Sequence, residues 1–253
     1  MLRKRIIPTL LFKNRKLVKG RQFENHIYVG DPSNAIRILS NSEMDEIAII
    51  SIDGDRDLKF IEKVTSESFI PISVGGKIRD MDDVSMLITE AGADKVILNS
   101  GIMHNRLAYA TARRFGSQSL ICCIDIKRKE KDYIVFIENG KKRLNKELFN
   151  YVKYIEESGA GEIILQIIDR EGMFCGSDLG LIAKIRKIIN CNLGISGGIS
   201  STKDLIDIFL LGSNAAYVGS MVTFRKNNRN SILISAPNRK EIDNACMQKM
   251  YNG

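Results

Sequence analysis

FIPISVGGKIRDMDDVSMLITEAGADKVILNSGI, residues 69–102, and NCNLGISGGISSTKDLIDIFLLGSNAAYVGSMV, residues 190–222, are one pattern written twice. Gly75-Gly76 answers Gly197-Gly198, and Asn99-Ser100 answers Gly219-Ser220, at a period of about 120 residues in a chain of 253. Upstream, DEIAIISID from Asp45 matches GEIILQIID from Gly161, and RIIPTLLFK from Arg5 matches SLICCIDIK from Ser119. Each half therefore carries four landmarks, all short and rich in isoleucine and valine, the composition of strands buried on both faces of a parallel sheet. They place strands near 5–11, 46–51, 70–74, 95–98, 120–125, 162–167, 193–196 and 215–218. Amphipathic segments such as DDVSMLITEAG, LAYATARRFG, ELFNYVKYIEESGAG and DLIDIFLLG lie between them, with glycine near their ends.

Eight βα units in two matching sets of four predict a closed (β/α)8 barrel, the TIM-barrel fold, with its site at the C-terminal strand ends. An open Rossmann-type sheet would need GxGxxG after the first strand, and none is there. The expected organisation is one domain over 1–253, with half-barrels at about 1–117 and 118–224. The tail, 225–253, reads as a loop (RKNNRNS) followed by a helix (NRKEIDNACMQKMY) that either covers the barrel or lies loose.

Composition narrows the function. Apolar residues make up 44% and charged residues 27%, which suits a globular chain with a sizeable core. No apolar run is long enough to span a membrane and no signal peptide is recognisable, so the expectation is a cytoplasmic protein without membrane partners. Five cysteines without a CxxC pair read as reduced thiols, and two distant histidines give no metal-ligand spacing, so neither metal nor cofactor is expected. The net charge of +8 implies anionic ligands, but the KRKEK, KKR and RKNNR clusters come without a nucleic-acid motif and read as solvated surface.

Glycine directly after a strand lets backbone N–H groups close on a phosphate. The chain has the device twice: Gly75, Gly76, Asn99 and Ser100 in the first half, and Ser196, Gly197, Gly198, Gly219 and Ser220 in the second. That predicts a ligand with two phosphates, held across the internal two-fold. Acid–base chemistry then calls for a carboxylate at the mouth, and Asp125 ends its strand after five apolar residues. A buried structural acceptor is the plainer alternative for it. Asp53 and Asp169 end strands 2 and 6, whereas Leu11 occupies the position that answers Asp125.

At these residues the chain resembles the cyclase subunit of imidazole glycerol phosphate synthase. The likeness runs from residue 1 to about 224 through KRIIP, LVKG with Lys19, GDP at 30–32, VGG with IR, GADKV, LNS, RFGSQ, IDIK, GAGEI, DREG and SGG. It implies a barrel that takes ammonia from a glutaminase subunit in a heterodimer. Such a barrel adds the ammonia to a phosphoribosyl substrate with a phosphate at each end, closes an imidazole ring and releases a carboxamide ribotide. It implies that Lys19 closes over the substrate from a loop, that Gly172 joins the second phosphate site, that Arg5, Glu46, Lys95 and Glu162 gate the barrel floor, and that Asp94 faces the glutaminase. Plain charge pairing is the alternative for the floor quartet.

The departures lie at the chemical end. Leu11 stands where the family has a second catalytic aspartate, Ser51 where an aspartate is usual, and Lys77 where the phosphate turn has its third glycine; Glu171 and Met173 replace an aspartate and a threonine. A lysine at 77 suggests a side-chain ligand for phosphate. Two functions follow. One is a genuine cyclase and lyase of histidine biosynthesis, with Asp125 as acid–base group. The other, favoured by Leu11 and Lys77, is a diverged relative that delivers ammonia to a sugar amidotransferase reaction in surface-glycan biosynthesis.

Overall fold

The alternation of buried β-branched runs with amphipathic segments becomes a wound sheet. The computed structural model describes residues 3–54, 57–104 and 106–251, so the extremities of the domain and tail expectations, 1–2 and 252–253, lie outside the described residues. Among the described residues the strands are β1 (Arg5–Lys13), β2 (Lys16–Arg21), β3 (Glu24–Gly30), β4 (Ile47–Ser51), β5 (Ile72–Gly75), β6 (Lys95–Leu98), β7 (Leu120–Lys129), β8 (Asp132–Ile137), β9 (Lys142–Leu144), β10 (Glu162–Ile167), β11 (Asn192–Ser196) and β12 (Ala215–Val218). Eight of them pair in parallel in the order β1, β4, β5, β6, β7, β10, β11, β12. The pairing of β12 back onto β1 closes a (β/α)8 barrel.

The helices are α1 (Pro32–Ser40), α2 (Leu58–Thr65), α3 (Met81–Thr89), α4 (Leu107–Phe115), α5 (Leu148–Glu157), α6 (Leu179–Arg186), α7 (Thr202–Leu210), the one-turn α8 (Ser220–Thr223) and α9 (Arg239–Tyr251). Local chemistry starts them. Asp31, Asp57, Asp80, Asp178 and Ser201 each accept a hydrogen bond from a first-turn amide, satisfying donors that the helix leaves open. The tail is not loose: α9 packs on α7, and the buried Arg239 binds Asp45, Asp243 and the Lys4 carbonyl, fastening the helix beside the barrel floor.

Apolar residues separate into two bodies. The larger lies between strands and helices, while Ile7, Ala48, Ile97, Ile121, Ile164, Ala215 and Tyr217 fill the barrel interior. The inward face of each strand takes every second residue, so β1 sends in Arg5, Ile7, Thr9 and Leu11 from floor to mouth.

Two antiparallel extensions were not foreseen. β1 runs on into the hairpin β2–β3, and β7 into β8–β9, at equivalent places in the two halves. Lys19 therefore sits on a strand and not in the expected loop, and the charged KRKEK stretch is the end of β7 and the turn after it.

Candidate functional site

The floor is built from charges that begin inward-facing strands. Arg5 bridges Glu46 (Nη1 to Oε1, 2.6 Å) and Glu162 (Nη2 to Oε2, 2.7 Å), and Lys95 donates to the other oxygen of Glu46 at 2.7 Å. Tyr217, fully inside the barrel, completes the set by donating its hydroxyl to Glu162 Oε1 at 2.8 Å. Both carboxylates are thus satisfied at both oxygens. Charge burial is costly, but the two carboxylates more than offset it at Arg5 and raise its pKa further. Burial, reinforced by Glu162, pushes the Tyr217 phenol well above its usual range. Asp94 is exposed on the same side, with its carboxylate accepting from the Ile72 amide at 2.8 Å.

Tyr217 was missed by the sequence reading, although a signal was present in Gly194. A Cβ on Gly194 would lie 2.5 Å from the Tyr217 ring, so the glycine makes the room that the tyrosine fills. Gly194→Leu is expected to cost about 1–3 kcal/mol by overpacking, read as a lower urea midpoint, and Tyr217→Leu in the same chain is expected to restore part of the loss.

At the mouth, the second-half residues converge. Leu11, Lys19, Glu171, Gly172, Ser196, Gly197, Gly198, Gly219 and Ser220 line one cleft, with Thr9, Gln166 and Tyr217 beneath. A Cβ on Gly198, at φ +87°, would lie 2.0 Å from the Gly176 carbonyl oxygen, so no larger residue fits this turn. Ser220 Oγ, Thr9 Oγ1 and Gln166 Nε2, which line this cleft, are buried without a protein partner among the described residues, so their hydrogen-bonding capacity is unused within the chain. Lys19 reaches over Gly219 and pairs with Glu171, and both residues are only 6% exposed. Burial opposes the charge on Glu171, but the Lys19 ammonium and the Phe23 amide hold its pKa below the usual carboxylate value.

The first-half turn lies across the barrel, since β5 and β6 are each four strands away from β11 and β12 in the closed order. Its side chains are directed elsewhere. Asn99 donates to the Cys123 carbonyl at 3.0 Å, and Ser100 Oγ accepts from the Glu138 amide at 3.0 Å, tying the β8–β9 turn to the rim. Lys77 keeps a left-handed backbone (φ +48°), the conformation that suits the family's glycine, and its Nζ donates to the Asp53 carbonyl at 2.5 Å. Gly76, beside it at φ +127°, abuts the Ser51 carbonyl. Gly75 is walled by Ile50 and Ile97.

Asp125 stands on β7, 6% exposed, with Cys123 Sγ 3.7 Å from its carboxylate. Burial pushes its pKa up to about 7, and contacts with Cys123 and Asn99 pull it only partly back. Asp53 and Asp169 are braces: their carboxylates accept from the backbone N–H of Asn14 (2.6 Å), in the turn after β1, and of Arg128 (2.5 Å), near the end of β7. Among the described residues no group of His, Cys, Asp and Glu is arranged to hold a metal, and no helix is long and apolar enough to cross a membrane.

Comparison with known proteins gives the chain a family. The family model described as "Histidine biosynthesis protein" matches residues 5–228. A provisionally named imidazole glycerol phosphate synthase subunit HisF from Leptospira interrogans is 36% identical over 250 residues, covering 95% of this chain and 98% of the relative. The imidazole glycerol phosphate synthase subunit HisF of Thermotoga sp. is 37% identical over 232 residues, or 89% and 91% of the two chains. Matched along the barrel by a family model and by relatives of the same length, this chain belongs to the HisF family of histidine biosynthesis proteins.

Proposed function

We propose that this barrel receives ammonia through its floor from a glutaminase subunit and passes it to an acceptor held at the mouth by phosphate, as a diverged family member serving sugar amidation in surface-glycan biosynthesis. The observation that carries the reading is Leu11, which lines the mouth cleft where the family has an aspartate. Loss of a general acid or base costs roughly 10²- to 10⁴-fold in rate, while a delivery barrel needs only the route and the binding site. Arg5, Glu46, Lys95 and Glu162 supply the floor gate, and exposed Asp94 offers a partner contact. Gly172, Ser196, Gly197, Gly198, Gly219 and Ser220, with Lys19, form the second phosphate cradle. Gly75, Gly76, Asn99 and Ser100 form the first, with Lys77 at its rim.

The retained Asp125 favours the other reading, a working cyclase and lyase forming imidazole glycerol phosphate and aminoimidazole carboxamide ribotide. Its raised pKa lets it carry or release a proton near neutrality. The deciding experiment supplies ammonium salt and the ribotide substrate to the purified barrel and follows imidazole product. Delivery predicts no turnover above background and a gain on Leu11→Asp. Turnover at ordinary cyclase rates by the unchanged chain ends the delivery reading.

A further inference from the structure

The mouth cleft holds an anion already, and it belongs to the chain. Glu171 is buried in the second-half cradle and uses both carboxylate oxygens on the β2–β3 hairpin: Oε1 on the Lys19 ammonium, and Oε2 on the Phe23 amide at 3.2 Å. Its own carbonyl accepts from the Gln22 amide at 2.9 Å, and Gln22 Nε2 reaches the Asp169 carbonyl at 2.8 Å, so the hairpin turn is seated on residues 169–171 by four bonds. A Cβ on Gly219 would lie 3.1 Å from the Lys19 ammonium, and the hydroxyl of the next residue, Ser220, which lines the same cleft, is buried and unpartnered among the described residues. A lysine buried at a glycine-lined turn suits an incoming oxyanion, yet here its charge is taken by an internal carboxylate.

We propose that Glu171 is a tethered competitor that sets the affinity of this cradle for phosphate: an entering phosphate must take Lys19 from it. The proposal rests on the phosphate reading of the cradle. A competitor on the same chain weakens binding by the fraction of time the lysine is free. With the pair formed about nine-tenths of the time, affinity falls roughly tenfold. The desolvated, charge-assisted contact is of the strong kind that sustains such a bias. It also selects. A ligand group that is uncharged gains little from displacing Glu171, whereas a dianion replaces the lost ion pair with a stronger one.

The test titrates inorganic phosphate into the full chain calorimetrically, for wild type, Glu171→Gln and Lys19→Met, with folding of each checked by circular dichroism. Glu171→Gln keeps the shape and removes the charge, and is expected to bind phosphate about tenfold more tightly, while Lys19→Met binds more weakly than wild type. Amide exchange at Phe23 is expected to quicken in Glu171→Gln, because glutamine offers one acceptor oxygen where glutamate offers two and the hairpin loses one of its four bonds. Glu171→Asp, one methylene shorter, provides a second variant should the glutamine fold poorly, with affinity between wild type and Glu171→Gln. Phosphate bound no more tightly by the Glu171 variants than by wild type overturns the competitor and leaves the cradle standing. Phosphate bound by none of the chains overturns the cradle itself.

Discussion

Arg5→Met is expected to destabilise the barrel by about 3–5 kcal/mol, the range seen when one partner of a buried ion pair is removed and the other stays charged. Arg5 is the hinge of the floor because, among the described residues, it alone donates to both carboxylates. Without it, Glu46 retains Lys95, but Glu162 is left with a single hydroxyl, that of Tyr217. Methionine fills nearly the same volume, so the loss is electrostatic and not a cavity effect. Urea denaturation at neutral pH measures it as a drop in midpoint at unchanged slope. Adding Glu162→Gln to Arg5→Met removes the stranded charge and is expected to recover part of the loss, a coupling that independent sites would not show. A cost below about 1 kcal/mol would mean that the floor charges behave as surface ion pairs, and that a seal made of them has little to break.

The barrel was legible in the sequence because isoleucine and valine runs in such numbers suit buried strands. The floor quartet, Arg5, Glu46, Lys95 and Glu162, was named by the family resemblance, and the cost of unpaired charge at buried strand starts is the physical reason the four pair. The two hairpins were not read. KRKEK looks like solvent-facing charge, and at the end of β7 it is, yet its backbone continues the ladder with β8. The mark it leaves is in the partner strand, where DYIVFI at 132–137 carries the β-branched and aromatic composition of a strand. Tyr217 was hidden because its partner is an absence of side chain at Gly194. The roles of Asp53 and Asp169 were open for a similar reason. A carboxylate that braces a hairpin amide and one that moves a proton look alike in sequence, and only the position of Asn14 and Arg128 tells them apart. Lys77 gave half of its meaning. Its backbone preserves the turn, while its ammonium turns to the Asp53 carbonyl.

Asp125→Asn is expected to reverse the usual effect of removing a buried carboxylate, in a manner that depends on pH. Burial in the barrel interior raises its pKa from 3.8 to about 7, so between these values the folded chain holds a proton that the unfolded chain releases. The contribution of that neutral carboxyl to stability is fully present below pH 3.8 and is lost as the pH rises through about 7. At 1.36 kcal/mol per pH unit the gap corresponds to roughly 4 kcal/mol, and relaxation around the ionised group reduces it to about 2–4 kcal/mol. Asparagine cannot ionise. Relative to wild type, the variant is therefore expected to gain about 2–4 kcal/mol between pH 4 and pH 8, measured as the difference of urea-derived stabilities at each pH. A difference that stays flat over that interval would place the Asp125 pKa near its ordinary value and remove it as a group able to exchange a proton at neutrality. The sign also bears on mechanism, because the same burial that makes Asp125 costly to ionise makes it an acid and a base at one pH. With Leu11 opposite on β1, it would have to fill both roles without the partner carboxylate that the family supplies.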